Sequence, residues 1–455
     1  MANTLSPDHL RTGQLIDGLD GTPYQSCSLS YEHRVGPVLS IPYVEQAEQF
    51  SRIALWFQNR PPASIIFHDN LGAVTLTGLK VRSWTGSDFV LGRLRANVAV
   101  FGQPRELKPE YKFATLISRI DGLEDFASFS SIASEVENTE HGHRVTVVVE
   151  SKDKVEFDHG GFQYAIRATS PWTSMQGRSF AANAEAVLET TSLDGATADD
   201  HLKAQWPIRA LLIMANGSKL YWRSHHIRDE QFPLWMLDGS SRMHEPCTVL
   251  MRRTVEDHEQ PEPSRTDVSL PLFRLVDLGE AGLRNWLDLY QDPAFRRSIE
   301  PVVEVINGAS HFLEPQILMT ILALDAMGYY RDERRAGNVA LSKQIERCLV
   351  AAGVDFSSIG PPLGIAKAIA NTNNDLKHPD RQQRPDPIHM SLVAELSTAI
   401  MRLQLFDLLG LSAETRVRCT SYGDIHQAIQ GFEQTGLRID TTGKFVSRMD
   451  APAAE

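Results

Sequence analysis

The feature that most constrains this chain is a change in the spacing of its apolar residues near residue 265. Before that point, short runs rich in β-branched and aromatic residues alternate with turn residues. After it, apolar residues recur three and four positions apart. The first pattern is typical of strands and the second of amphipathic helices. The chain is therefore predicted to be an α+β multidomain protein, with an antiparallel β-rich N-terminal region followed by an α-helical bundle.

Strands of about 5–8 residues are predicted wherever the β-type pattern occurs between turns. The segments with this pattern are 63–70, 72–81, 88–102, 144–150, 154–168, 184–192 and 218–229. Their spacing suits an antiparallel sandwich. One helix is expected among them, because Thr197 and Asp200 have the spacing of a capping box. Pro207 is expected to kink or split that helix.

Six helices with short connections are predicted in the second half, as in a helical bundle. They fall in the segments 282–291, 294–306, 311–330, 338–352, 363–378 and 389–410. An acidic, serine-rich tract at 121–140 and a charged, proline-containing stretch before residue 266 suggest where domains end. We expect a first β-sandwich-like unit at 1–135, a second β-rich unit at 136–265, the bundle at 266–435 and a frayed tail at 436–455.

The charge and the cysteines narrow the class of protein. Residues 271–455 carry 19 basic and 23 acidic side chains, and the remainder carries 26 and 34, so neither part has the basic excess of a general nucleic-acid binder. An RNA site would have to be a local patch. The four cysteines lack metal-ligand spacing, and no apolar run approaches the ~20 residues of a membrane helix. A cytoplasmic protein is expected, with no metal, no cofactor and no membrane partner.

The segment most suggestive of chemistry is the end of the predicted helix at 363–378. Asn374 and His378 are four residues apart, so they share one face of a helix. Pro379 should end the helix there, and a histidine at a helix C-terminus is suited to exchange a proton near neutral pH. Lys377 and Arg381 would bring positive charge to a phosphodiester. The simpler interpretation is that asparagines cap the helix and His378 is merely exposed.

The neighbouring segments give the chain a resemblance to a known family. An apolar helix with an embedded acid, Phe312–Asp325, comes first, the Asn374–His378 segment follows, and a long apolar helix at 392–412 comes last. This order is similar to HEPN domains, and specifically to the helical half of ApeA-like bacterial antiphage proteins. The segments 65–81, 113–131 and 199–224 look like the β-rich N-terminal region that accompanies this type of HEPN domain.

The resemblance implies a metal-independent endoribonuclease that acts in phage defence of the abortive-infection type. His378 corresponds to the catalytic histidine, Asn374 to the polar residue of the family's R-N-x-x-x-H motif, and Asp325 to an acid on an earlier helix. In such domains the 2′-hydroxyl attacks the neighbouring phosphorus. The resemblance further implies a homodimer formed through the helical domain, RNA as the partner with tRNA as one candidate, and an N-terminal region that senses a phage-derived trigger.

One position departs from that motif. The motif's arginine, which would stabilise the phosphorane, is Asn373 in this chain. Losing one such donor commonly costs about 10²–10³ in rate. Either Arg381, Lys377 or Lys367 supplies the charge, with Asn373 as a neutral phosphate contact, or the domain has lost activity. The alternative to an enzyme is therefore a catalytically inactive HEPN-like module for dimerisation or RNA binding in a defence complex. A β-rich region that binds a carbohydrate or a peptide also remains open.

Overall fold

The chain has an α+β fold, with a large antiparallel sheet in its N-terminal half and mainly helices later. A computed structural model describes residues 3–7, 9–16, 25–45, 47–58, 60–140, 142–175, 178–236, 238, 240–242, 246–263, 270–332, 338–378, 385–421 and 423–448. Within these ranges, no helix is both long enough and apolar enough to cross a membrane.

The strands follow the chain in this order: β1 Leu10–Ile16, β2 Gln25–Glu32, β3 Gly36–Val44, β4 Ser64–Asp69, β5 Gly72–Thr77, β6 Lys80–Gly86, β7 Phe89–Arg95, β8 Val98–Val100, β9 Phe113–Ile120, β10 Ile132–Thr139, β11 Gly142–Val149, β12 Lys154–His159, β13 Phe162–Thr169, β14 Trp172–Met175, β15 Ser179–Ala182, β16 Glu185–Ala196, β17 Trp222–Arg228, β18 Leu234–Trp235, β19 Ser241–Arg242, β20 Cys247–Met251, β21 Leu437–Ile439 and β22 Phe445–Ser447.

The helices are α1 Ser51–Phe57, α2 Leu123–Ala127, α3 Ala198–Asn216, α4 Val255–His258, α5 Leu275–Gln291, α6 Pro293–Ile306, α7 Leu313–Tyr330, α8 Leu341–Ala352, α9 Pro362–Lys377, α10 Pro387–Leu408, α11 Ala413–Thr420 and α12 Gly423–Gln434. Two short 3-10 turns, Glu48–Phe50 and Arg252–Thr254, precede α1 and α4. Gly279 has a non-helical backbone conformation and kinks α5.

Fourteen of the described strands form one antiparallel sheet in the order β12-β13-β16-β9-β17-β20-β8-β5-β4-β1-β2-β3-β7-β6. Strands from before and after residue 135 pair with one another: β9 lies between β16 and β17, and β20 pairs with β8, which sets Val249 opposite Val100. The two segments predicted as separate β-units therefore share a sheet. Side chains alternate along it as expected for strands with one buried face: in β2, Cys27, Leu29 and Tyr31 are buried.

The chain divides into two compact units. The first contains Met1–Asp121, Phe129–Trp206 and Tyr221–Glu262, and the second contains Gly122–Ser128, Pro207–Leu220 and Pro263–Glu455. The first unit holds the fourteen-stranded sheet. The second unit holds helices α5 to α12, whose aromatic core includes an edge-to-face contact between Trp286 and Phe295. It also takes in α2 and the second half of α3, which the sequence patterns placed in the β-rich region.

The six helices predicted in the second half are confirmed as α5 to α10. Thr197 caps the start of α3, since the backbone N–H of Asp200 donates to Thr197 Oγ1 at 3.2 Å. Pro207 lies inside α3, which continues through it. Its carbonyl accepts the indole N–H of Trp286 at 2.7 Å. The carbonyl of Pro207 thus provides the hydrogen-bond acceptor for the indole N–H of the buried Trp286.

The sequence predicts a frayed tail from residue 436. This prediction is wrong for residues 436–448, which the structure describes as ordered. Strands β21 and β22 pair as a hairpin. Ile439 in β21 is fully buried, and its N–H donates to the carbonyl of Ile359 at 2.7 Å. Three-residue strands are too short to stand out in a sequence pattern, and this tertiary bond holds the hairpin in place.

A buried arginine connects three helices of the second unit. Arg402 in α10 donates to the carbonyls of Met214 and Ala215 at the end of α3, at 2.8 and 2.9 Å. It also donates to Asp424 of α12 at 2.7 Å. We expect Arg402→Met to lower the free energy of unfolding by at least about 2 kcal/mol, because the two carbonyls lose a charged donor. Urea unfolding followed by circular dichroism measures the change.

The matched control for Arg402 is Lys343→Met, which removes an exposed ion pair to Glu346 within α8. This change should alter the free energy of unfolding by about 0.5 kcal/mol or less. Equal effects of the two substitutions would show that the buried contacts of Arg402 contribute no more than a surface pair.

Three histidines of the first unit should make it sensitive to acid. Burial is the largest cause that lowers the pKa values of His201, His226 and His258 below their ordinary 6.5. The unfolded chain therefore binds protons that the folded chain does not, as pH falls through 6.5. The free energy of unfolding should have its full value above pH 6.5 and decrease as the pH falls below it. The decrease should stop once the pH is below the lowered pKa values of the folded state.

Urea unfolding between about pH 5 and pH 8 tests this expectation. The variant His226→Leu should show a shallower loss of stability on acidification, since it removes one of the buried titrating groups. The control His143→Leu changes an exposed histidine of β11 and should leave the acid dependence as it is. A loss of stability that is equally steep in the His226 variant would contradict this assignment.

Candidate functional site

The candidate site lies at the C-terminal end of α9. The helix begins after Pro361, which is extended, and has Pro362 at its first position. It ends where the sequence predicts: His378 is extended, at φ −113° and ψ 91°, as expected of a residue before a proline. The backbone N–H of His378 still donates to the carbonyl of Asn374 at 3.1 Å. The helix therefore fixes the backbone of His378 one turn beyond Asn374.

The imidazole of His378 is exposed, and it makes no hydrogen bond to the part of the chain that the structure describes. Asn374 is half-buried on the preceding turn. The two ring nitrogens can thus reach an incoming ligand without breaking an existing bond. This accessibility is what general acid–base chemistry on a large substrate needs.

Asp325 in α7 lies close enough to Lys377 in α9 for their charges to interact. Partial burial raises the pKa of Asp325, while the positive charges of Lys377 and Arg297 act to lower it. Arg297, from α6, is exposed. Lys377 directly precedes His378 in the chain, and Arg297 acts on the same carboxylate as Lys377.

Asn373 lies elsewhere. Its side chain is only 4% exposed, and its Oδ1 is buried without a hydrogen-bond partner among the described residues. It therefore points into the helical unit, whereas His378 points to solvent. This placement argues against a contact between Asn373 and a phosphate.

The other residues proposed to supply charge are placed differently. Arg381 lies outside the residues that the structure describes. Lys367 donates from its ammonium group to the carbonyl of Thr441 at 3.1 Å, an interaction that engages it with the chain after α12. Lys377, the neighbour of His378 in the chain, and Arg297, which acts on the same carboxylate as Lys377, are left as candidate cations. The sequence singled out Lys377, but Arg297 sits 81 residues before His378 and had no pattern to connect it to the site.

No group of three or more His, Cys, Asp or Glu that could hold a metal ion occurs in the described ranges. The arrangement at α9 offers an exposed imidazole, a neighbouring amide and two cations. These groups can move a proton and stabilise negative charge on a phosphate ester.

Comparisons of the chain with protein-family models, with curated proteins and with solved structures find no match.

Because Asn373 is buried, its contribution to the stability of the fold can be tested by substitution. Replacing it by the similarly sized Leu removes a buried oxygen that has no partner, so we expect the free energy of unfolding to rise by roughly 1 kcal/mol. Thermal and urea unfolding measure this change. The control Asn374→Leu alters the half-buried neighbour and should bring no such gain. Destabilisation by Asn373→Leu would show that the amide makes bonds essential to the fold.

Proposed function

We propose that this protein is a metal-independent endoribonuclease of the HEPN type and that it acts in bacterial defence against phage. The observation that carries the proposal is the exposed His378 at the end of α9, next to Lys377 in the chain, with Asp325 on the adjoining helix under the charges of Lys377 and Arg297. The order of apolar helices and the Asn374–His378 spacing support it through their resemblance to HEPN domains.

In the proposed reaction, the 2′-hydroxyl of one nucleotide attacks the adjacent phosphorus. A general base takes the proton of that hydroxyl, and a general acid gives one to the departing 5′-oxygen. The products are a 2′,3′-cyclic phosphate and a 5′-hydroxyl. His378 fills one of these two roles, and a second copy of the chain provides the other histidine.

Lys377 and Arg297 take the part of the motif's arginine. Both charges act on Asp325, and Lys377 adjoins His378 in the chain, so the proposal assigns them to the extra negative charge of the phosphorane. Asn374 orients the substrate or the imidazole. Asp325 holds the two cations in place through its charge, an electrostatic role that does not require contact with RNA.

The second candidate is an inactive HEPN-like module that dimerises or binds RNA. The observation that favours it is Asn373, because the residue in the arginine position is buried away from His378. In this function His378 has no chemical task, and the N-terminal region recognises the phage-derived trigger on behalf of a separate effector.

Cleavage of purified cellular RNA in EDTA distinguishes the two candidates. The wild-type protein, His378→Ala and His311→Ala are compared, each alone and with extract from phage-infected bacteria. His311 is a suitable control because it is exposed and precedes α7, about 18 Å along that helix from Asp325. We expect cleavage by the wild type and by His311→Ala, and a loss of at least about 100-fold in His378→Ala.

Equal cleavage by the wild type and His378→Ala would contradict the assignment of the histidine. An absence of cleavage with and without extract, from folded protein, would favour the inactive module. Phage plating on bacteria that express each variant tests the biological role: protection should follow the same order as cleavage.

A further inference from the structure

A large cavity lies in the first unit, far along the chain from the helical site. Its volume is about 1070 Å³, and its walls come from the loops and strands around β5, β6, β8 and β9 and from the start of α3. Ligand pockets usually measure about 300–1,000 Å³, so this one has room for a molecule the size of a nucleotide.

The charged side chains on its walls are not balanced. Two acids are already paired: Asp199 with Arg253 at 3.8 Å and Asp200 with Lys203 at 3.0 Å. Four further cations line the cavity and have no ion pair within the described part of the chain: Arg34, Lys80, Lys112 and Arg252. Against these four stand only two more lining acids, Glu110 and Glu256.

A half-buried arginine adds positive charge next to one of the lining lysines. Arg95 of β7 lies directly opposite Lys80 of β6, so both side chains project from the same face of the sheet. The Nη1 atom of Arg95 is buried and has no hydrogen-bond partner among the described residues. Burial and the nearby charges of Arg252 and Arg82 lower the pKa of Arg95. Like charges set opposite one another destabilise a sheet unless an anion lies between them.

We propose that this cavity binds a phosphate-bearing small molecule of nucleotide size, with its phosphate groups held by Lys80 and Arg252. Arginine and lysine are the side chains that bind phosphate most readily, and here they are present without carboxylate partners. The ligand would relieve the repulsion around Arg95. The site is independent of the RNA chemistry proposed for His378, so either proposal can fail while the other holds.

Isothermal titration calorimetry on the full chain tests the proposal, with ADP, inorganic pyrophosphate and adenosine as probes. We expect ADP or pyrophosphate to bind with one site per chain, and adenosine not to bind. If ADP binds more tightly than pyrophosphate, the ligand is a nucleotide. If the two bind equally, the site recognises only the phosphate groups. The variants Lys80→Gln and Arg252→Gln should each weaken binding at least about tenfold, as expected for a lost charge-assisted hydrogen bond.

The control is Arg144→Gln, since Arg144 is an exposed cation of β11 and does not line the cavity. Its affinity for the probes should equal that of the wild type. Lys80 is exposed, so Lys80→Gln should fold, and without ligand its melting temperature should rise because Arg95 loses a like-charged neighbour.

Several results would overturn the site. They are no binding of ADP or pyrophosphate, binding that Lys80→Gln and Arg252→Gln leave unchanged, and binding of adenosine as tight as that of ADP. A short RNA oligonucleotide is titrated in the same way. If it binds and the three small probes do not, the cations line an RNA-binding surface and not a small-molecule site.

Discussion

The arrangement of the helical unit depends on the guanidinium of Arg402. The last carbonyls of a helix have no partner within it, and those of Met214 and Ala215 at the end of α3 are buried with Arg402 as their donor. Gly217 follows α3 at φ 69°, and a Cβ atom there would overlap the guanidinium and Asp424. The glycine therefore permits the close approach that the arginine needs. Because α10 also packs against α9 and α12, this contact helps to position those two helices.

Asn373 and His378, five residues apart at the end of α9, point in different directions. Asn373 turns inward and His378 outward, although both belong to the segment that resembles a catalytic motif. The helical period accounts for this difference, because side chains five residues apart point in different directions. In the proposed RNA cleavage, the positive charge would come from Lys377 and from Arg297 on α6. The proposed site is thus assembled from three helices rather than from one motif.

Much of the fold follows from local sequence patterns, and the rest depends on contacts between distant residues. Regular apolar spacing was enough to place α5 to α10, and Pro379 was enough to end α9. The single sheet was not foreseeable, since it depends on the pairing of Val100 with Val249, almost 150 residues later. The hairpin near Ile439 is held by Ile359, and the cluster around Arg95 exists because β6, β7 and the turn at Arg252 meet. For the same reason, the sequence could nominate His378 and Lys377 but could not connect Arg297 to them or reveal the cavity.

The central claim is that RNA is cleaved by attack of its own 2′-hydroxyl at a site containing His378. Mass spectrometry of the ends of RNA fragments, produced by the purified protein in EDTA, tests this chemistry most directly. The account predicts 2′,3′-cyclic phosphate and 5′-hydroxyl ends, and no cleavage immediately after a nucleotide that carries 2′-deoxyribose. Fragments with 3′-hydroxyl and 5′-phosphate ends, or cleavage after deoxyribose, would contradict it.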